Sequence, residues 1–211
     1  MSMPPYPDLQ VLKHRLQSHE DWDTEAQERF TVRLPDGRPL QPGDAPARAA
    51  AVLMLIYPGP EGPAILLNHR AEGLEHHAGQ VSFPGGRREP QDADLLATAR
   101  REAREELGLV SEDYEVIREL PPVSIWASGH QVTPFLALAP RRPVLLPDAR
   151  EVQAVIELPL SVLLDPAAVE QEQRMLLGQQ LVVPFYRYGP HKIWGGSARM
   201  LAMLAAALGR N

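Results

Sequence analysis

The sequence predicts an α/β fold in which a mixed β-sheet is sandwiched between helices. Three observations carry that expectation. Short apolar segments of strand length recur along the chain, one long helical pattern interrupts them near the middle, and a second closes the chain. Strands therefore fall before, between and after helices instead of in one block, which is the arrangement of an α/β sandwich. At 211 residues the chain can form one generous domain with a sizeable core.

Residues 1–47 are Pro-rich and polar and form an N-terminal extension that packs on the domain without a core of its own. Within it, Leu9, Val11, Leu12 and Leu16 predict a short amphipathic helix, and Asp36-Gly37 a turn in a small hairpin entered from Phe30–Arg33. The domain proper is 48–211. Ala49–Tyr57 (AAAVLMLIY) is a continuous apolar run, the pattern of a buried strand. The Pro/Gly turn at 58–63 feeds a second strand, Ala64–Asn68, and a charged loop at 69–78 leads to a third, Gln80–Phe83. A long helix runs from Asp92 or Ala93 to Leu107, where Gly108 supplies the stop. Tyr114–Leu120 and Val132–Leu138 follow as strands. Glu151–Leu158 is another, ending at Pro159, which opens a short helix to Leu164. Met175–Leu177 and Leu181–Tyr188 predict a late hairpin turning at Gly178-Gln179. The Ala/Leu/Met-rich segment Gly195–Leu208 predicts the closing helix.

Composition narrows the function. The formal charge of -6 argues against non-specific nucleic-acid or membrane-surface binding, both of which want basic patches. No cysteine is present, so disulfides, thiolate nucleophiles and Cys-based zinc sites are excluded. No apolar run reaches the roughly 18 residues of a membrane span, and the N-terminus has no basic-then-apolar leader pattern, so a cytoplasmic location is expected.

The chemistry concentrates in Gly79–Leu109. Glu102, Glu105 and Glu106 crowd one and a half turns of the long helix, where residues three and four apart are neighbours. Their mutual repulsion invites a divalent cation, and magnesium or its relatives favour such hard oxygen ligands. At about 100° per residue the three centre roughly 110° from the apolar stripe Leu96, Ala99, Ala103 and Leu107, at the edge of the packed face. Arg100, Arg101 and Arg104 fall on the other flank. An ion pair from Arg101 to Glu105, four residues on, would hold that carboxylate's rotamer. Gly85 and Gly86 permit a tight turn and a close approach to phosphate or metal.

The segment Arg101-Glu102-Ala103-Arg104-Glu105-Glu106-Leu107-Gly108-Leu109 resembles the second half of the nudix box, the signature of the nudix hydrolase superfamily. The first half departs from that pattern. Gly86 to Arg101 is one residue longer than the standard spacing, so the first-half glutamate falls on Asp92 or on Ala93 depending on the end counted from. Leu66–Gly86 (LLNHRAEGLEHHAGQVSFPGG) resembles the extra motif of the coenzyme A pyrophosphatase branch, matching at Leu66, Leu67, Arg70, Gly79, Phe83, Pro84, Gly85 and Gly86. Asn68, Ala71 and Glu75 stand where that motif has Thr, Ser and Arg. His77–Val81 and Trp194–Ala198 extend the likeness.

The resemblance implies a nudix-type α/β/α sandwich and a Mg²⁺- or Mn²⁺-dependent pyrophosphohydrolase. It implies Glu102, Glu105 and Glu106 as metal-binding and catalytic residues, with Glu105 the candidate general base. Arg70, Gly85 and Gly86 are then the substrate-phosphate positions, Arg70 being equally able to form a structural ion pair. The implied substrate is coenzyme A or an acyl derivative, cut to 3′,5′-ADP and (acyl) 4′-phosphopantetheine. NADH, ADP-ribose, a nucleoside triphosphate and a non-catalytic binding role are the alternatives. Arg87, Arg88 and residues after 120 are candidates for the adenine and 3′-phosphate. His76 and His77 read as surface, and Trp126 and Trp194 as packing residues. No nucleic-acid or membrane partner is expected, and the oligomeric state is open, a homodimer included.

Overall fold

The computed structural model describes residues 9–20, 22, 24–40, 47–72, 79–125, 128–176 and 178–209. Its centre is β1 (Arg48–Gly59), which turns at Gly59–Gly62 into antiparallel β2 (Gly62–Arg70). On its other side β1 runs parallel to β7 (His130–Leu138) over nine residue pairs, so the sheet is mixed. Burial explains the continuous apolar run. Ala50, Val52, Met54 and Ile56 enter the core on one face, while Ala51, Leu53, Leu55 and Tyr57 enter the core on the other. A strand covered on both faces has no polar side to alternate with.

The main sheet is ordered β3 (Val81–Ser82), β2, β1, β7, β5 (Glu115–Glu119). Three further strands join it: β4 (Gly85–Arg87) on β1, β6 (Val123–Ile125) on β7 and β8 (Val152–Pro159) on β2. One face is covered by α3 (Leu95–Leu107), whose Ala99, Ala103 and Leu107 are fully buried. The other is covered by α5 (Gly195–Gly209), α4 (Leu160–Leu164) and the N-terminal α1 (Leu9–Ser18) and α2 (Thr24–Glu28). The result is the α/β/α sandwich with a mixed sheet that the strand and helix order predicts. Among the described residues, no helix is long and apolar enough to cross a membrane.

A second sheet of three antiparallel strands, β9 (Val169–Leu176), β10 (Gln179–Tyr188) and β11 (His191–Trp194), stands beside the first. The N-terminal residues tie both together. Leu12, Leu16, Trp22 and Phe30 belong to the main core, and the Phe30 ring stacks on Tyr186 at 4.4 Å. Arg33 bridges to Val182, and the expected turn forms where Gly37 donates to the Leu34 carbonyl at 2.9 Å. Phe30–Arg33 makes bridges there without becoming a strand.

The long helix starts later than either expected residue. Asp94 is its N-cap, accepting from the Ala97 N–H at 2.7 Å, which satisfies one of the first-turn donors. It stops as expected. Gly108 adopts the left-handed conformation (φ 69°), and its N–H donates to Arg104 O at 2.9 Å.

Candidate active site

Glu106 sits deeper than helical arithmetic places it. Its position beside the apolar stripe predicts an edge, but the side chain is 1% exposed, between α3 and the β2–β4 end of the sheet. Three donors make that burial tolerable. Arg70 Nη1 donates to Oε1 at 2.9 Å, while Asn68 Nδ2 and the Gly85 N–H donate to Oε2 at 2.8 and 3.1 Å. A carboxylate offers about four lone-pair sites, so about one remains, on Oε1. Arg70 is thus an ion-pair partner of Glu106 in this structure.

Glu102 is half-buried and accepts from Arg101 Nη1 at 2.9 Å. Its carboxylate lies against the Gly86 backbone. A Cβ on Gly86 would come within 2.6 Å of the Glu102 Cδ, whereas one on Gly85 would lie 2.6 Å from the Val52 Cα. The two glycines therefore do different work. Gly86→Ala forces only a side chain to yield and is expected to lower turnover about 10²-fold through misplacement of Glu102, with little change in melting temperature. Gly85→Ala collides with backbone and is expected to lower melting temperature. Paired melts and turnover assays of both variants check this, and equal behaviour would refute the division.

Glu105 stands apart. Its side chain is 55% exposed and is not part of the cleft lining, but the predicted ion pair with Arg101 is present at 3.0 Å. The flank assigned to Arg101 needs correction, because its guanidinium turns toward the glutamates. Nη1 bridges Glu102 and Glu105, while Nε and Nη2 grip Asp92 at 3.0 and 3.1 Å. Asp92, not Ala93, therefore takes the loop position left open by the spacing. It is 6% exposed and also accepts from Thr98 Oγ1 and the Glu89 N–H, both at 2.9 Å. Arg101 holds the Asp92 carboxyl well below the usual range, against the cost of burial.

A cleft of about 1120 Å³ opens over this cluster. Glu102, Glu106, Arg70, Gly85 and Gly86 line it, as does Glu151, the residue before β8, which sequence reasoning missed. A lone acid at the head of a strand carries no local signal; pairing of β8 with β2, Val152 opposite Arg70, brings it here. Burial pushes the Glu106 carboxyl up to about 7, reinforced by the charges of Glu102 and Glu151 and opposed by Arg70 and the Gly85 N–H. Burial likewise raises Glu102. Trp194 lines the same cleft, half-buried, with the Arg174 guanidinium 5.0 Å from its ring centre. Arg87 lines it too, whereas Arg88 donates to the Asp92 and Ala93 carbonyls. His76, His77, Glu75 and Trp126 lie outside the described residues. A smaller concavity of about 260 Å³ near Pro60, Glu157, Tyr188 and His191 shares no lining residue with the cleft.

Among the described residues, no three acidic or imidazole groups form a ready-made ligand cage. The donor set nevertheless suits magnesium, which usually takes one or two carboxylates and completes its shell with water and substrate phosphate. Glu102 has oxygen lone pairs to offer and Glu106 about one, and a cation would offset the burial, and the lesser mutual repulsion, that raise both carboxyls.

Carboxylates facing a cleft across a glycine turn are the equipment of an enzyme that handles phosphate groups. The comparisons make the class specific. A family model described as the NUDIX domain matches residues 47–178. An uncharacterized Nudix hydrolase, NudL of Photorhabdus laumondii, is 38% identical over 177 residues, 84% of this chain and 92% of its own. NudL of Salmonella paratyphi B is 38% identical over 162 residues, 77% and 83% of the two chains. The solved MutT protein of Methanosarcina mazei aligns with a TM-score of 0.52 over 80% of this chain and 99% of that one; at 14% identity this is a likeness of fold. The chain belongs to the Nudix family. It is a Nudix hydrolase, a pyrophosphatase acting on a nucleoside diphosphate derivative.

Proposed function

We propose that the enzyme cleaves the diphosphate of coenzyme A or an acyl-coenzyme A, yielding 3′,5′-ADP and 4′-phosphopantetheine or its acyl form. One observation carries the proposal. The segment resembling the coenzyme A branch lies against the carboxylate helix, with Asn68, Arg70 and Gly85 all bonded to Glu106. Arg70 and Gly85, at positions that match the branch motif, and residues that suit a cation thus form one cluster.

Glu102 and Glu106 would hold Mg²⁺ or Mn²⁺, with Glu105 next to them on the helix and Glu151 across the cleft. The cation would supply charge neutralisation at the diphosphate and at the departing phosphate. Arg101 fixes the Glu102 and Glu105 rotamers, and Gly86 leaves room for the Glu102 carboxylate. Water attacking one phosphorus in line must lose a proton. Glu105 faces solvent outside the cleft, so Glu151 is the better placed acceptor: it lines the cleft, and its carboxylate has no hydrogen bond to any described residue.

Incubation with coenzyme A and Mg²⁺, with both products identified by mass, tests the proposal. Appearance of 3′,5′-ADP is expected. Far faster cleavage of NADH, ADP-ribose or a nucleoside triphosphate would overturn the substrate assignment.

A further inference from the structure

The cleft is lined by five glutamates, Glu28, Glu89, Glu102, Glu106 and Glu151, and by as many arginines. The arginines are Arg33, Arg48, Arg70, Arg87 and Arg199. Three have partners. Arg70 pairs with Glu106, Arg33 donates to the Gly37 carbonyl at 3.0 Å, and Arg199 donates to the Ser124 carbonyl at 2.7 Å and to Gln27 at 3.1 Å. The guanidinium groups of Arg48 and Arg87 make no hydrogen bond or ion pair among the described residues. Glu89, the acid nearest to Arg87 in sequence, accepts from Gln91 instead.

Sheet register puts the two together. Arg87 on β4 pairs with Ala50 on β1, and Arg48 is two residues from Ala50 on the same face, so the arginines are diagonal neighbours roughly 7–8 Å apart. His130 on β7 pairs with Arg48 and also lines the cleft. Like charges this close are destabilising in a sheet unless an anion joins them. The carboxylate cluster is near. Gly85, whose N–H donates to Glu106, is two residues from Arg87 along β4, about 7 Å. That is the scale of one ribose between the phosphorus atoms carried on its 5′ and 3′ oxygens.

We infer that Arg48 and Arg87 form a subsite for a phosphomonoester on the ribose of the substrate, one sugar away from the diphosphate that is cut. The inference rests on the coenzyme A assignment to the extent that this substrate carries such a group, its 3′-phosphate. A phosphomonoester is nearly dianionic at neutral pH, and planar guanidinium groups bind it through paired hydrogen bonds. Both arginines are exposed, so their replacement leaves the fold intact.

Calorimetric titration of the full chain in Mg²⁺ buffer with adenosine 3′,5′-bisphosphate and with 5′-AMP tests the subsite. The wild type is expected to prefer the bisphosphate at least about tenfold, and Arg48→Ala and Arg87→Ala each to reduce that preference about tenfold. Equal binding of the two nucleotides, no measurable bisphosphate binding, or an undiminished preference in both variants would overturn the inference. Turnover separates this failure from that of the substrate assignment. Coenzyme A and 3′-dephospho-coenzyme A cleaved with equal KM would remove the subsite and leave the substrate class standing. NADH or ADP-ribose cleaved far faster than either would remove the substrate class, and the binding preference would still decide the subsite.

Discussion

Glu106→Gln is expected to lower turnover about 10³-fold, the rate equivalent of about 4 kcal/mol of lost charge stabilisation at the diphosphate. The substitution preserves shape but replaces one acceptor oxygen by a donor. That donor must face either Arg70 or the Asn68 and Gly85 pair, at a cost of about 1–3 kcal/mol in stability. A second readout follows from the raised carboxyl. A folded pKa of about 7 above an unfolded 4.5 means the folded state holds the proton more tightly. The resulting stabilisation is complete below pH 4.5 and is lost as the pH rises through 7, amounting to about 3 kcal/mol in the metal-free protein. Thermal melts from pH 4 to 8 should show that fall in the wild type and its absence in the variant. Unchanged turnover would rule out a metal-binding role for Glu106, and a pH profile shared by both proteins would place the titrating group elsewhere.

Asp92→Ala is expected to cost about 3 kcal/mol of stability, a fall of roughly 6–12 °C in melting temperature, because it takes the carboxylate away from Nε and Nη2 of a mostly buried guanidinium. Turnover should fall as well, about 10- to 100-fold, since Arg101 would lose the anchor from which it orients Glu102 and Glu105. The neighbouring exposed Ala93 provides the control. Ala93→Ser is expected to stay within about 0.5 kcal/mol of the parent. Calorimetry and single-turnover kinetics on both variants decide the matter, and equal effects at 92 and 93 would remove Asp92 from its assigned place.

The central strands were legible because burial on both faces writes itself as a run of apolar residues, as in β1. The second sheet was legible only in part: the late hairpin is there as β9 and β10, with Leu181–Tyr188 inside β10, but the length of β9 and the strand β11 were not foreseen. Val169–Leu176 alternates Glu170, Glu172 and Arg174 with uncharged residues, and part of its hold on β10 comes from cross-strand charge pairs such as Arg187–Glu170, with both bonds at 2.8 Å. Such pairs have no periodic apolar signature. β4 was hidden for a related reason, being two glycines and an arginine. The glutamate cluster was legible from helical spacing, but the depth of Glu106 was not. Spacing gives an angle around the helix axis, whereas depth depends on Asn68, Arg70 and Gly85 arriving from another part of the chain. Glu151 was beyond reach on the same grounds.

The cleft is assembled from unequal parts of the chain. Glu102, Glu106, Glu151 and the glycine turn lie within residues 47–178, which match the family model, but Glu28 and much of the far wall, from residues 30–40 and 194–200, lie outside that span. The carboxylate cluster and much of the wall facing it therefore come from separate stretches of the chain. A chimera that exchanged only the outer stretches with a relative is expected to keep the carboxylate cluster and to change the wall that faces it, a change that turnover with a panel of substrates would read.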